Sequence, residues 1–224
     1  VLTLVYPQIC VICGRSVEQR RFGVACEACW SETRIFTDEE RICLKCGAPE
    51  QERCGRCEEL AFTAARATGM YEGALRESVL MLKRQAYVPP HVESLLKEVV
   101  TPEPLSRSTR VIPVPLHPKR LKTRGFNQAS IIGQTVSKAL KLPLDEVSLV
   151  RVSTTEKYRA GMDTKGRRDT VAGAFRVAHP RLIAGESILL VDDVFTTGAT
   201  ISACAEVLIN AGAEAVFVLT IARA

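Results

Sequence analysis

The chain has 224 residues, of which 46% are hydrophobic, with 30 Lys and Arg against 25 Asp and Glu and a formal net charge of +5. This composition provides for one α/β core and a small appendage. No apolar run approaches the roughly 18 residues that cross a bilayer, and residues 1–6 are too short for a signal-peptide core. We therefore expect a cytoplasmic protein without membrane insertion.

Eight of the nine cysteines form four Cys-x-x-Cys pairs, namely Cys10/Cys13, Cys26/Cys29, Cys43/Cys46 and Cys54/Cys57. Two thiolates on one tight turn supply half of a tetrahedral site, so the pairs predict two structural Zn²⁺ ions in a double zinc-ribbon module over residues 1–60. The spacing permits sequential use of the pairs, or an interleaved use that joins the first pair with the third. Disulfides are the alternative in an oxidising compartment, and iron could replace zinc in one site.

The predicted metal module is not the basic part of the chain. Residues 1–60 contain eight Lys and Arg against ten Asp and Glu, and thiolates around zinc would add negative charge. The module as a whole is therefore a poor electrostatic match for DNA, and the positive charge lies in residues 61–224.

The segment over residues 61–105 is predicted to contain linking helices that pack on the core. Leu75, Val79 and Leu82 form one apolar stripe at helical spacing, and Pro89-Pro90 separates it from a second stripe. That second stripe consists of Val92, Leu95, Leu96 and Val99. Lys83, after the first stripe, could reach a bound anion or could be an exposed lysine at a helix terminus.

A short strand and a basic stretch follow. Val111 and Ile112 begin an apolar strand that Pro113 and Pro115 interrupt, because proline cannot donate to a sheet ladder. The stretch after it contains bases and no acid, and we expect a loop that ends where Asn127 caps the next helix. Its candidate anion-binding residues are Lys119, Arg120, Lys122 and Arg124. The alternative is a solvated basic loop.

The stretch from Ile188 to Thr200 is the most informative part of the sequence. Four apolar residues predict a strand buried on both faces of a parallel sheet, and two carboxylates, Asp192 and Asp193, end it. A turn rich in hydroxyls follows and enters an amphipathic helix, with Gly212 placed to end that helix and a further strand over residues 215–221.

This turn is predicted to bind a phosphate. Backbone N–H groups at a helix N-terminus have no partner within the helix, and the helix dipole favours an anion there. The residues of the predicted phosphate loop are Thr196, Thr197, Gly198, Ala199 and Thr200. The two carboxylates would repel a phosphate, so they should face groups that donate hydrogen bonds, such as sugar hydroxyls or metal-bound water. Together these features indicate a sugar phosphate as the ligand.

The sequence VDDVFTTGAT resembles the motif by which type I phosphoribosyltransferases bind 5-phosphoribosyl 1-pyrophosphate (PRPP). The resemblance implies that Asp192 and Asp193 hold the ribose hydroxyls, that residues 196–200 hold the 5-phosphate, and that the basic stretch after the first core strand contacts pyrophosphate, with Mg²⁺. It also implies an α/β fold in which helices flank a parallel sheet, with the PRPP-binding domain over residues 106–224.

Nearly the whole chain resembles the ComF group of competence-associated proteins, which includes GntX. The segments that carry this resemblance are PQICVICG, the four cysteine pairs, VPLHPKRLKTRGFNQA, VAGAF and the PRPP motif. In that group Lys83 is a typical position, and residues 151–168 match a hood over PRPP. Arg159 replaces a usual glutamine and Thr170 a usual asparagine, which leaves the acceptor and catalysis itself open.

Two functions follow from this resemblance. The first is transfer or binding of a 5-phosphoribosyl group with Mg²⁺, in association with DNA uptake. The second is a non-enzymatic adaptor that binds single-stranded DNA through its basic loops and uses the PRPP pocket for regulation or structure. The expected partners are PRPP or a related ribose phosphate, single-stranded DNA or DNA-processing proteins, and a second copy of the chain in a homodimer.

Overall fold

The computed structural model describes residues 8–37, 41–49, 54, 57–152 and 173–224. Its centre is a sheet of four parallel strands in the order β1-β6-β5-β2. These strands are β1 (Ala64–Met70), β2 (Arg110–Pro113), β5 (Ser187–Phe195) and β6 (Ala215–Arg223). The predicted strands at residues 188–191 and 215–221 are thus confirmed as the two central strands, where neighbours on both sides bury them.

Helices cover both faces of this sheet. They are α1 (Glu27–Ser31), α2 (Gly73–Leu82), α3 (Pro90–Val100), α4 (Pro118–Arg124), α5 (Gln128–Leu140) and α6 (Ala199–Asn210). Single helical turns lie at Arg20–Phe22, Cys57–Glu59, Leu105–Arg107 and Pro180–Leu182. Helices α2, α3 and α5 share one apolar cluster with one face of the sheet. Helix α6 shares the opposite cluster with the antiparallel pair β3 (Leu149–Arg151) and β4 (Phe175–Val177). This architecture confirms the α/β fold of a parallel sheet flanked by helices.

Strand β1 was not expected from the sequence, which predicted only linking helices over residues 61–105. Its residues are AARATGM, and alanine and glycine have low strand propensity. Pairing with β6 nevertheless holds the segment extended, with Ala64 opposite Phe217 and Met70 opposite Arg223. The segment therefore supplies an edge strand of the main sheet as well as the two predicted helices α2 and α3.

The cysteine-rich segment covers the outer edge of β1. The amide of Phe36 donates to Thr68 O at 2.9 Å, and the amide of Met70 donates to Arg34 O at 3.0 Å. Further along the strand, the amide of Ala65 donates to Lys45 O at 2.6 Å. These bonds protect an edge that would otherwise expose unpaired backbone groups.

The two cysteine-rich halves join opposite faces of the sheet. Phe22 and Trp30 of the first half belong to the cluster of α2, α3 and α5. Leu60 and Phe62, which follow the second half, belong to the cluster of α6. The predicted appendage is thus continuous with the core on both sides of the sheet.

The basic stretch after β2 forms a helix, so the expectation of a loop at residues 118–124 was wrong. His117 Nδ1 accepts from the amide of Lys119 at 3.2 Å, and Pro118 occupies the first turn, where its missing N–H costs no hydrogen bond. Gly125, with φ of 82°, ends the helix in the left-handed conformation. Within the described residues, each helix is too short or too polar to cross a lipid bilayer.

Candidate functional site

The eight paired cysteines form two separate clusters, used in sequential order. Their sulfur atoms lie within 4.8 Å of one another in each cluster. The first cluster is Cys10, Cys13, Cys26 and Cys29, and the second cluster is Cys43, Cys46, Cys54 and Cys57. The fold therefore brings the cysteine pairs together in sequential order and excludes the interleaved arrangement that the spacing also permitted.

The distances between sulfur atoms fit a metal site. Three of them, Cys10 to Cys29, Cys13 to Cys26 and Cys43 to Cys57, are 3.7, 3.6 and 3.6 Å. A tetrahedral Zn–S bond of about 2.3 Å places two sulfurs about 3.8 Å apart, whereas a disulfide requires about 2.05 Å. The fourth, from Cys46 to Cys54, is shorter at 3.0 Å. All of these thiols are free, which together with the first three distances fits Zn²⁺ in both clusters.

The acid pair lies at the carboxyl end of β5, where ligands bind in open α/β sheets. Asp192 is half-buried and Asp193 is 8% exposed. Successive strand residues face opposite sides of a sheet. Accordingly, the Asp193 carboxylate meets Lys83 on one side, while burial, followed by the charge of Asp192, raises the pKa of the Cys204 thiol on α6. Cys204 is fully buried, as expected for a packing residue.

Asp192 is a perturbed acid. Burial and the neighbouring charge of Asp193 raise its pKa to about 8. The amide of Asp193, which donates to Asp192 Oδ1 at 2.8 Å, and the charge of Lys83 oppose this rise without cancelling it. A carboxyl group that holds its proton near neutral pH at the end of a central strand is a candidate for a functional residue.

Lys83 is the residue whose role the sequence left undecided between anion contact and simple exposure. Its Nζ lies 3.3 Å from Asp193 Oδ2, and its side chain is 32% exposed. It immediately follows α2, so this helix delivers a cation to the acid pair. The contact adds Lys83 to the candidate site by geometry, because no local sequence pattern links two residues that lie so far apart in the chain.

The predicted phosphate loop follows the acid pair directly. Thr196 and Thr197 are exposed, and Gly198 is the N-cap of α6 with φ of 73°. The amide of Ser202 donates to Gly198 O at 2.7 Å, which starts the helix, and Thr197 Oγ1 accepts from the amide of Ala199 at 3.4 Å. The remaining first-turn amides, including that of Thr200, have no earlier helical carbonyl to bind and are available to an anion.

Gly198 is required at its position for two reasons. Its positive φ is costly for any residue with a side chain. In addition, a Cβ there would lie 2.8 Å from Cζ of Phe195 and 3.2 Å from Cδ1 of Leu60. The loop is thus packed tightly against the protein on its inner side, while Thr196 and Thr197 face solvent.

The basic residues of α4 lie at the same edge of the sheet as the acids, because α4 follows the carboxyl end of β2, a parallel neighbour of β5. Lys119, Arg120 and Lys122 are exposed. Arg124 is half-buried and donates to Gln128. Asn127 caps α5 as predicted: its Oδ1 accepts from the amide of Ala129 at 3.2 Å. Most of the predicted hood, with Arg159 and Thr170, falls outside the described residues.

Fold and site together define a phosphoribosyltransferase-type α/β domain joined to a double zinc ribbon. Family models agree: a double zinc ribbon domain matches residues 1–60, and a phosphoribosyl transferase domain matches residues 125–224. Along its whole length the chain is similar to proteins named for competence and DNA utilization, which supports its resemblance to the ComF group.

Three relatives illustrate this similarity. "DNA utilization protein YhgH" of Escherichia coli (strain K12) is 28% identical over 98% of this chain and 99% of its own length. "Competence protein F" of Haemophilus influenzae is 28% identical over 96% of each chain. "Competence protein ComFC" of Bacillus subtilis is 23% identical over 94% of this chain and 92% of its own length. The similarity to these relatives therefore extends over more than nine-tenths of each chain.

Proposed function

We propose that this protein binds PRPP at the carboxyl edge of the sheet, in association with DNA uptake or DNA use. The observation that carries the proposal is the continuous path from Asp192 and Asp193 through the Gly198 turn into the N-terminus of α6. The carboxylates would accept hydrogen bonds from the ribose 2- and 3-hydroxyls. The amides and hydroxyls of residues 196–200 would bind the 5-phosphate, where the helix dipole favours negative charge.

Mg²⁺ fits this site as an ion that arrives with the ligand. Among the described residues, groups of three or more His, Cys, Asp or Glu that could hold a metal ion are limited to the two cysteine clusters. Asp192 and Asp193 alone would leave most of an octahedral shell to other oxygens, and Mg²⁺ commonly completes its shell with water and substrate phosphates. Bound to the pyrophosphate of PRPP, Mg²⁺ would neutralise charge on that group.

We propose phosphoribosyl transfer as the reaction. The lone pair of a nucleophile, of nitrogen or another type, forms a bond to C1 of the ribose as the C1–O bond breaks, and pyrophosphate leaves with the electron pair of that bond. The proton of the nucleophile passes to water or to a base on the acceptor. The acid pair orients a ribose that becomes cationic, and Lys119, Arg120 and Lys122 face the departing negative charge. The acceptor is defined by none of the described residues.

A second candidate function is single-stranded DNA binding at α4. The helix exposes Arg120 and Lys122 on either side of Leu121, whose side chain is 43% exposed. Bases could contact the apolar side chain while phosphates contact the cations. Relatives named for DNA utilization and competence favour a role near DNA.

Calorimetric titration of the zinc-loaded protein with PRPP, with and without Mg²⁺, tests the first proposal. We expect a dissociation constant in the range of about 1 μM to 1 mM that is usual for substrates. The double variant Asp192→Asn, Asp193→Asn should lose binding. The matched control Glu206→Gln, Glu214→Gln, which neutralises two exposed acids on and after α6, should bind as wild type does. Equal binding by both variants would reject the acid pair as the ribose site.

The same variants separate the two functions. Pyrophosphate release from PRPP in the presence of an acceptor, lost in the aspartate double variant, supports transfer. Salt-sensitive binding of single-stranded DNA that survives this double variant supports the adaptor. In that case Arg120→Gln with Lys122→Gln should reduce the slope of log affinity against log salt by about 1.4, because each phosphate contact contributes about 0.7 for single strands.

A further inference from the structure

We infer that the second zinc ribbon positions the phosphate loop, so that metal in the second cluster and ligand in the loop stabilise each other. The inference rests on the proposed function for the identity of the ligand, but the contacts that carry it are independent of that identity. It assigns positioning roles to Leu60 and Arg223, which lie outside the PRPP motif.

The first connection runs from Cys57 to Gly198. The amide of Leu60 donates to Cys57 O at 3.1 Å and closes the turn Cys57–Glu59. The backbone of Leu60 is therefore held by the backbone of a candidate metal ligand. Leu60 is 8% exposed, and its Cδ1 occupies the space beside Gly198, only 3.2 Å from where a Cβ at that position would lie. The next residue extends the contact, because the amide of Ala61 donates to Ser202 Oγ on α6 at 2.9 Å.

The second connection runs from Cys46 to Phe195. Arg223 Nη1 donates to Cys46 O at 2.9 Å, and its Cζ lies 4.8 Å from the centroid of the Phe195 ring. Phe62 contacts the same ring edge-on, with centroids 5.9 Å apart. Phe195 is the last residue of β5 and packs under Gly198, so the ring is held between the ribbon and the loop.

The first cluster provides the internal comparison. Its segment contacts α2 and α3: the amide of Ala74 donates to Thr33 Oγ1 at 2.9 Å, and the rings of Trp30 and His91 lie 4.5 Å apart. These contacts belong to the apolar cluster on the other side of the sheet from Leu60 and Phe195. Loss of metal from the first cluster should therefore disturb α2 and α3 and leave the phosphate loop in place.

A physical coupling follows from this arrangement. A zinc ribbon obtains its folding free energy from metal binding, so loss of metal from the second cluster releases Leu60 and the carbonyl that Arg223 binds. The ligand then has to order the phosphate loop when it binds, and the free energy spent on that ordering lowers its affinity. Coupling between two sites is reciprocal and typically changes affinity by about 5- to 150-fold. Bound PRPP should slow zinc loss from the second cluster by a similar mechanism.

Hydrogen exchange tests the coupling without reference to any ligand. Cys13→Ser and Cys54→Ser form a matched pair, because both remove an exposed thiol from one cluster of the full-length protein. We expect Cys54→Ser to speed amide exchange in peptides that contain residues 195–203 by at least about 5-fold. Cys13→Ser should leave these peptides unchanged. Equal exchange in the two variants would overturn the inference.

Two further variants keep the metal and break only the contacts. Leu60→Ala and Arg223→Met should retain two equivalents of zinc by elemental analysis, show the same faster exchange of residues 195–203, and bind PRPP more weakly. Arg223→Lys, which keeps the charge near Phe195, should recover part of the affinity. Wild-type affinity and exchange in both of the first two variants would refute positioning by these residues, whatever happens to Cys54→Ser.

The ligand experiment distinguishes failure of the inference from failure of the proposed function. In wild type, transfer of one of the two zinc equivalents to a chelator should slow when PRPP and Mg²⁺ are present. If wild type binds no PRPP while Cys54→Ser still loosens residues 195–203, the proposed ligand is wrong and the coupling stands. If PRPP binds with equal affinity to wild type, Cys54→Ser and Leu60→Ala, the ligand is right and the coupling is wrong.

Discussion

The ion pair between Lys83 and Asp193 provides a prediction whose size follows from the structure. Two unit charges 3.3 Å apart interact by about 5 kcal/mol at an effective dielectric constant of 20 and by about 1.3 kcal/mol in bulk water. The Lys83 side chain is 32% exposed, so solvent screening places the pair near the lower figure. We expect a coupling free energy of about 1–2 kcal/mol, between the values of exposed and buried pairs.

The two single substitutions should differ in their effects. Lys83→Met leaves two neighbouring carboxyl groups without their cation, raises the pKa of Asp192 further and lowers the free energy of unfolding by about 1–3 kcal/mol. Asp193→Asn also removes Lys83's partner, but it relieves the repulsion that Asp192 experiences, so its cost should be smaller. Equal decreases in the free energy of unfolding for Lys83→Met and Asp193→Asn would contradict the arrangement described here.

The assay is a double-mutant cycle in urea at pH 8 and a fixed zinc concentration, with wild type, Lys83→Met, Asp193→Asn and the double variant. Zinc linkage is common to all four proteins and cancels in the coupling term. Lys97→Met, at an exposed position of α3, controls for the loss of a lysine and should change stability by less than about 0.5 kcal/mol. A coupling term of zero would refute the role assigned to Lys83.

Three other predictions concern pH, capping and metal. The pKa of Asp192 is raised from 3.8 to about 8 in the folded protein, so its contribution to stability is fully present below about pH 4 and is lost as pH rises through about 8. Asp192→Asn should therefore gain stability relative to wild type as pH rises from 6 to 9. Urea unfolding curves with no such trend would contradict the raised pKa. Asn127→Ala removes the α5 cap and should cost about 1 kcal/mol, whereas Asn127→Ser should keep most of it. Purified reduced protein should contain two equivalents of zinc by elemental analysis, and one equivalent or none would reject the two-cluster reading.

The strongest sequence predictions were those in which local pattern and tertiary environment agree. The apolar run at Ile188 to Val191 buries all of its side chains only in a strand that is covered on both faces. The helix that follows has a clear inner face that includes Ile201 and Leu208. Gly212, with φ of 94°, lies where the end of that helix was expected. The four Cys-x-x-Cys pairs predicted their structure equally well, because that spacing is typical of metal sites on tight turns.

The features that the sequence did not reveal depend on contacts distant in the chain. Strand β1 is rich in alanine, and β6 and the ribbon segment at Arg34–Phe36, rather than its own propensity, hold it extended. Helix α4 is too short to show a helical period, although Pro118 after a capping residue was a usable signal. The pairing of Lys83 with Asp193 and the separation of the ribbons onto two faces needed the assembled fold.

Diffraction from crystals of the zinc-loaded protein grown with PRPP and Mg²⁺ would test the central claim most directly. The claim predicts electron density for the 5-phosphate against the amides of residues 197–200, with the ribose 2- and 3-hydroxyls within hydrogen-bond distance of Asp192 and Asp193. Density for PRPP elsewhere, or protein side chains that fill this crevice while PRPP is saturating, would contradict the claim.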